Sequence, residues 1–91
     1  TKVVDIYHTL KEYTSNITVY DPWANHQRIE SEYGISIVNA LPNDSYDAVI
    51  LAVAHREFAD LHLRSLLKDS SLGVVYDVKG VAPREEVDER L

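Results

Sequence analysis

Ninety-one residues, 45% hydrophobic and 26% charged, make one small globular domain near the lower limit for burying an adequate core alone. The formal charge of −6 argues against a general nucleic-acid binder, which would carry a basic stripe. The absence of cysteine excludes a disulfide framework, a thiolate nucleophile and a thiolate zinc ligand within this chain.

No apolar run approaches the ~20 residues that a membrane span needs, and the opening Thr1-Lys2-Val3-Val4-Asp5 has no signal-peptide form. A cytoplasmic location is expected. The chain has no methionine, so it reads as a piece of a longer polypeptide or a processed product.

Val3, Ile6, Tyr7 and Leu10 follow the i, i+3, i+4, i+7 spacing of an amphipathic helix, with Thr1 able to cap it and Lys11 near its negative end. Ile17-Thr18-Val19-Tyr20 is a short strand that stops at Asp21-Pro22, because proline cannot donate to a ladder. Trp23 to Tyr33 reads as a short helix with Gly34 as its stop. Ile35 to Val38 is a second short strand, and Leu41 to Ser45 is a surface loop.

The chain is organised around two apolar runs, Ala48 to Val53 and Val74-Val75-Tyr76. Such β-branched runs suit strands of a parallel sheet buried on both faces. Glu57 to Lys68, with Phe58, Leu61, Leu63, Leu66 and Leu67, predicts a crossover helix or a broken pair of turns between them. Pro83 to Leu91 carries six charges in nine positions and reads as a solvated face. The element order predicts an α/β fold, a Rossmann-like three-layer domain with a mainly parallel sheet. It starts on a helix, so the usual first, central strand is missing.

In such sheets ligands bind beyond the carboxyl ends of the strands. His55, Asp77 and Lys79 sit where the two runs stop and are the candidate binding residues. A cation just past a strand end can meet a diphosphate; its plainer role is a solvated surface lysine. Asp77 can orient Lys79 or accept from a hydroxyl, and its plainer role is to cap the following turn. Asp21 ends an early strand, where dinucleotide folds hold a ribose-binding acid, but Asp21-Pro22 is also a turn. His55 opens the predicted crossover helix, and the safer reading is a polar helix start. His55 and His62 can share a helix face, yet no third ligand lies at metal spacing, and His8 and His26 are scattered. Trp23 reads as a loop anchor held by burial in preference to a base-stacking platform. No catalytic residue, cofactor-binding residue or metal ligand is assigned.

Four segments in register carry a resemblance: Thr1 to Ile6, Val19-Tyr20-Asp21-Pro22-Trp23-Ala24, Tyr46 to Phe58, and Val75-Tyr76-Asp77-Val78-Lys79-Gly80. Together they resemble the C-terminal nucleotide-sugar-binding domain of the UDP-glucose/GDP-mannose dehydrogenase family, most of all its UDP-N-acetylhexosamine branch. The resemblance implies an NAD-dependent enzyme that oxidises the sugar C6 alcohol to a uronate for surface polysaccharides, through a cysteine thiohemiacetal. It implies an N-terminal domain that binds NAD, a central domain that forms a homodimer, and a UDP-sugar partner for residues 1–91. Lys79 matches the family's Asp-x-Arg arginine, which contacts the nucleotide sugar, with lysine giving a point charge in place of a bidentate fork. The chain has neither a Gly-x-Gly-x-x-Gly turn nor a cysteine, so alone it is expected to be inactive. The missing central strand would come from residues before Thr1 or from another chain. The rival reading is a non-catalytic α/β interaction or regulatory module; a free-standing NAD domain is disfavoured by the absent glycine-rich turn.

Overall fold

The computed structural model describes residues 2–54, 58 and 62–90. The chain divides into two compact units, Thr1–Leu41 and Pro42–Leu91.

In the first unit, helix α1 (Lys2–Lys11) carries the predicted stripe, with Val3, Ile6, Tyr7 and Leu10 all half-buried. Lys11 in its last turn lies 5.7 Å from the Tyr7 ring centroid. That position favours a cation, both for the ring face and for the negative end of the helix dipole. The expected cap at Thr1 lies outside the described residues. Strand β1 (Val19–Tyr20) stops where predicted. The Asp21 carboxylate accepts from the Trp23 backbone N–H at 2.9 Å, an Asx turn that competes with helix formation. Helix α2 therefore starts three residues later than expected, at His26–Tyr33, with Asn25 as its N-cap. The Asn25 side chain accepts from the Arg28 N–H at 3.0 Å, satisfying a donor that the first turn leaves open. Gly34 ends α2 in the left-handed region at φ 69°, where a Cβ is disfavoured. Strand β2 (Ile37–Val38) then pairs parallel with β1, Val19 opposite Ile37. Ile35, just before it, is buried.

In the second unit, β3 (Ala48–Leu51) and β4 (Val74–Asp77) are the two apolar runs. They pair parallel in full register, from Ala48 opposite Val74 to Leu51 opposite Asp77. The connection includes a 3-10 turn, Leu63–Leu66, in keeping with the broken turns expected there as the alternative to a crossover helix; residues 55–57 and 59–61 of that segment lie outside the described residues. Residues 44–46 run beside 65–68, with the Lys68 N–H donating to the Tyr46 carbonyl at 2.7 Å. Leu51, Phe58, Leu63, Leu66, Leu67, Val75 and Ala82 are buried and form the apolar interior that positions the sheet.

The α/β class with parallel strands, as in a Rossmann-like domain, holds. The strands lie in two parallel sheets, β1 with β2, and β3 with β4 and Glu89–Arg90. Two expectations do not hold. Burial of the apolar runs is one-sided: Leu51 and Val75 are buried while Ile50 is 39% and Val74 48% exposed. Alternate side chains of a strand face opposite sides, and an apolar run looks the same whether one face or both is covered. Finally, the charged end is not a free solvated face. It makes a 3-10 turn (Arg84–Glu86) and strand β5 (Glu89–Arg90), which pairs parallel with β4.

Candidate functional site

The carboxyl ends of β3 and β4 form the rim at which the sequence places its candidates. The ladder continues one step past the strands, where the Val78 N–H donates to the Leu51 carbonyl at 2.9 Å. The chain then turns sharply over Val78 to Ala82. Gly80 sits at φ 69°, a conformation that glycine adopts without penalty and other residues resist.

Asp77 organises this loop. It is a fully buried charged side chain. Its Oδ1 accepts from the N–H groups of Lys79 at 3.1 Å and Gly80 at 2.8 Å, and its Oδ2 from that of Ala82 at 2.7 Å. Three inward-pointing donors answer the desolvation of the carboxylate, as a buried charge requires. Both oxygens are thus spent on the backbone of the loop, the turn-capping geometry weighed from the sequence.

A fourth partner comes from the end of the chain. β5 pairs Arg90 opposite Asp77, and directly opposed residues in a sheet share a face. The Arg90 Nη2 lies 3.7 Å from Asp77 Oδ2 and also donates to the Ala82 carbonyl. One guanidinium therefore touches both the start and the end of the loop.

A second cluster fastens the same terminal segment. Arg64 meets Asp88 at 2.7 Å and donates to the Ser70 carbonyl. Asp88 also accepts from the Val75 N–H at 2.8 Å, doing with a side chain what a ladder carbonyl would do. The Val75 N–H, and then the Arg64 guanidinium, hold the Asp88 carboxyl below the usual range. Glu86 accepts from the Arg64 N–H at 3.0 Å and faces His62 Nδ1 at 3.5 Å.

Lys79 is exposed. Its N–H is fixed by Asp77, while its side chain has no acidic partner within ion-pair distance among the described residues. The rim thus presents a cation with no acidic neighbour in that set, on a backbone held rigid from below. His55 lies outside the described residues. Asp21 spends its carboxylate on the Asx turn, and its carbonyl meets His26 Nε2 at 3.3 Å. Trp23 is 66% exposed, which overturns its reading as an anchor held by burial: the Asx turn sets the backbone and leaves most of the side chain outside.

Among the described residues no three His, Cys, Asp or Glu side chains group closely enough to hold a metal ion. The turn after β1, Asp21 to Asn25, contains no glycine, and its acid is already bonded to the turn. It does not fit a dinucleotide pyrophosphate, which needs close backbone approach at a glycine-rich helix start. Sequence reasoning missed Arg64, Glu86, Asp88 and Arg90. The one available signal was the two-residue spacing of Asp88 and Arg90, which puts both on one strand face.

The family model for the UDP-glucose/GDP-mannose dehydrogenase family, UDP binding domain, matches residues 1–84. The chain belongs to that family. Among curated relatives, the UDP-N-acetyl-D-glucosamine 6-dehydrogenase of Pseudomonas aeruginosa is 39% identical over 92 residues, covering all of this chain. The protein of the same name from Salmonella typhi is 35% identical over 94 residues. Protein CapL of Staphylococcus aureus is 31% identical over 90 residues, 97% of this chain. The chain spans only 21–22% of the length of these relatives. No solved structure gives a significant match. No helix among the described residues is long and apolar enough to cross a membrane.

Proposed function

We propose that residues 1–91 are the UDP-sugar-binding domain of an NAD-dependent UDP-N-acetylhexosamine (or UDP-glucose) 6-dehydrogenase. The whole enzyme oxidises the C6 alcohol of the sugar to a uronate for surface polysaccharide synthesis. The observation that carries the reading is Lys79: an exposed ammonium at the carboxyl end of β4, without an acidic partner among the described residues, on a loop fixed by the buried Asp77. A diphosphate brings two or more negative charges to such a point, and an ammonium meets them without a fixed approach direction. Asp77 contributes to ligand binding by shaping the loop, and His55 is the third proposed binding residue. The names of the Salmonella and Pseudomonas relatives support an N-acetylhexosamine over a plain hexose.

Hydride transfer belongs to the rest of the enzyme. This chain contributes no cysteine and no glycine-rich dinucleotide turn, so NAD and the thiol come from domains that residues 1–91 do not include. Those domains also form the homodimer, and the enzyme works in the cytoplasm. Titrating UDP and UDP-N-acetylglucosamine into the full natural polypeptide while following amide exchange tests the reading. Protection should concentrate at Asp77–Gly80. Unchanged exchange throughout that segment would favour the non-catalytic interaction module.

A further inference from the structure

Arg90, which reaches the loop from its far side, lies beyond the family match, which ends at residue 84. We propose that the end of the chain is a clasp for the nucleotide loop and that Arg90 is its positioning residue. The proposal deepens the reading of Lys79 as a diphosphate contact and rests on it.

Three observations carry it. Arg90 reaches the two anchor points of the loop, Asp77 Oδ2 and the Ala82 carbonyl, so it closes the loop from residue 77 to residue 82 as a ring. Its Nε is buried with no hydrogen-bond acceptor among the described residues, so the guanidinium is turned toward the loop although one donor stays unpaired there. β5 itself has only two residues, too few to hold a strand by ladder bonds alone. Arg64–Asp88 and Glu86–His62 supply the remaining grip, anchoring the segment to the 3-10 turn and to Val75. The charged tail therefore fixes the backbone from which Lys79 projects. Arg90 acts on the ligand only through Asp77 and the loop.

The test is a double-mutant cycle on UDP affinity in the full natural polypeptide, with Arg90→Ala, Lys79→Ala and the pair, measured by calorimetry well below the unfolding transition. Arg90→Ala should weaken UDP roughly tenfold, the scale of one charge-assisted hydrogen bond. In the Lys79→Ala background the same change should have almost no further effect, because a misplaced loop then has no cation to misplace. Arg90→Lys, which keeps the charge near Asp77, should restore most of the affinity. If Arg90→Ala lowers the unfolding midpoint but leaves UDP affinity unchanged, Arg90 is a structural residue only and the clasp is wrong. Full additivity of the two changes overturns it as well. If Lys79→Ala itself leaves UDP affinity unchanged, the underlying reading of the site fails first.

Discussion

Asp77→Asn is the sharpest perturbation available in this fold, because it conserves shape and removes only charge and one acceptor. The amide oxygen can keep the Lys79 and Gly80 N–H groups now bound by Oδ1 at 3.1 and 2.8 Å. The amide nitrogen then replaces Oδ2, which serves the Ala82 N–H at 2.7 Å and faces Arg90 at 3.7 Å. Donors are left facing donors. Each buried donor that loses its acceptor costs about 1–3 kcal/mol, and breaking a buried ion pair from one side costs about 3–5 kcal/mol. Arg90 keeps 30% of its side chain exposed, which screens the pair and favours the lower end, about 3 kcal/mol. A small domain holds about 5–15 kcal/mol in all, so the variant gives up a large share of it. Urea unfolding at pH 7 followed by far-UV circular dichroism measures the loss. Asp77→Ala, which also frees Lys79 and Gly80, should lose more than Asp77→Asn. A stability for Asp77→Asn within about 0.5 kcal/mol of the parent, the range of an ordinary surface change, would refute the buried-anchor argument.

Two further outcomes follow from other parts of the molecule. A Cβ at Gly73 would stand 2.7 Å from Leu67 Cδ2, and Leu67 is among the most buried side chains; Gly73→Ala should therefore cost about 1–3 kcal/mol by overpacking in the same urea assay. Asp88 and Asp69 are both held below the usual carboxyl range, Asp88 by the Val75 N–H and Arg64, Asp69 by the Ser71 hydroxyl and N–H. A carboxyl depressed in the folded state stabilises fully above its unfolded value, about 3.9, and that contribution fades as pH falls through the folded value. The urea midpoint should stay level down to about pH 5 and then decline, with a shallower decline in Asp88→Asn; an identical acid limb in the variant would show that Asp88 carries none of the acid sensitivity.

Much of the second sheet was legible because its signals are local. The runs Ala48 to Val53 and Val74 to Tyr76 announce β-branched strands, and the strands found there pair in the expected parallel sense. Gly34 as a helix stop and Asp21-Pro22 as a strand stop are likewise one-residue signals with a steric cause. What escaped was decided at long range. Glu89-Arg90 has no strand pattern of its own; it becomes a strand because Asp88 and Arg90 find Val75, Arg64 and Asp77, partners 13 to 24 residues away. The connection between the core strands was legible only as two alternatives: its leucines suit a helix face or broken turns, and the bonds from residues 44–46 to the carbonyls of Ser65 and Leu66 go with a 3-10 turn at Leu63–Leu66. At the rim, Lys79 and Asp77 were both singled out and the turn-capping role of Asp77 was the favoured reading, as its bonds to the loop show; its complete burial was not legible, because nearby polar letters do not reveal it.

The most direct measurement is the UDP affinity of Lys79→Arg and Lys79→Ala beside the parent, in the full natural polypeptide. Arginine offers a bidentate fork on the same held backbone and should bind UDP at least as tightly as lysine. Alanine should lose about tenfold or more, as expected for a charge-assisted contact to phosphate. Equal affinity in all three proteins would contradict the assignment of this loop to the nucleotide.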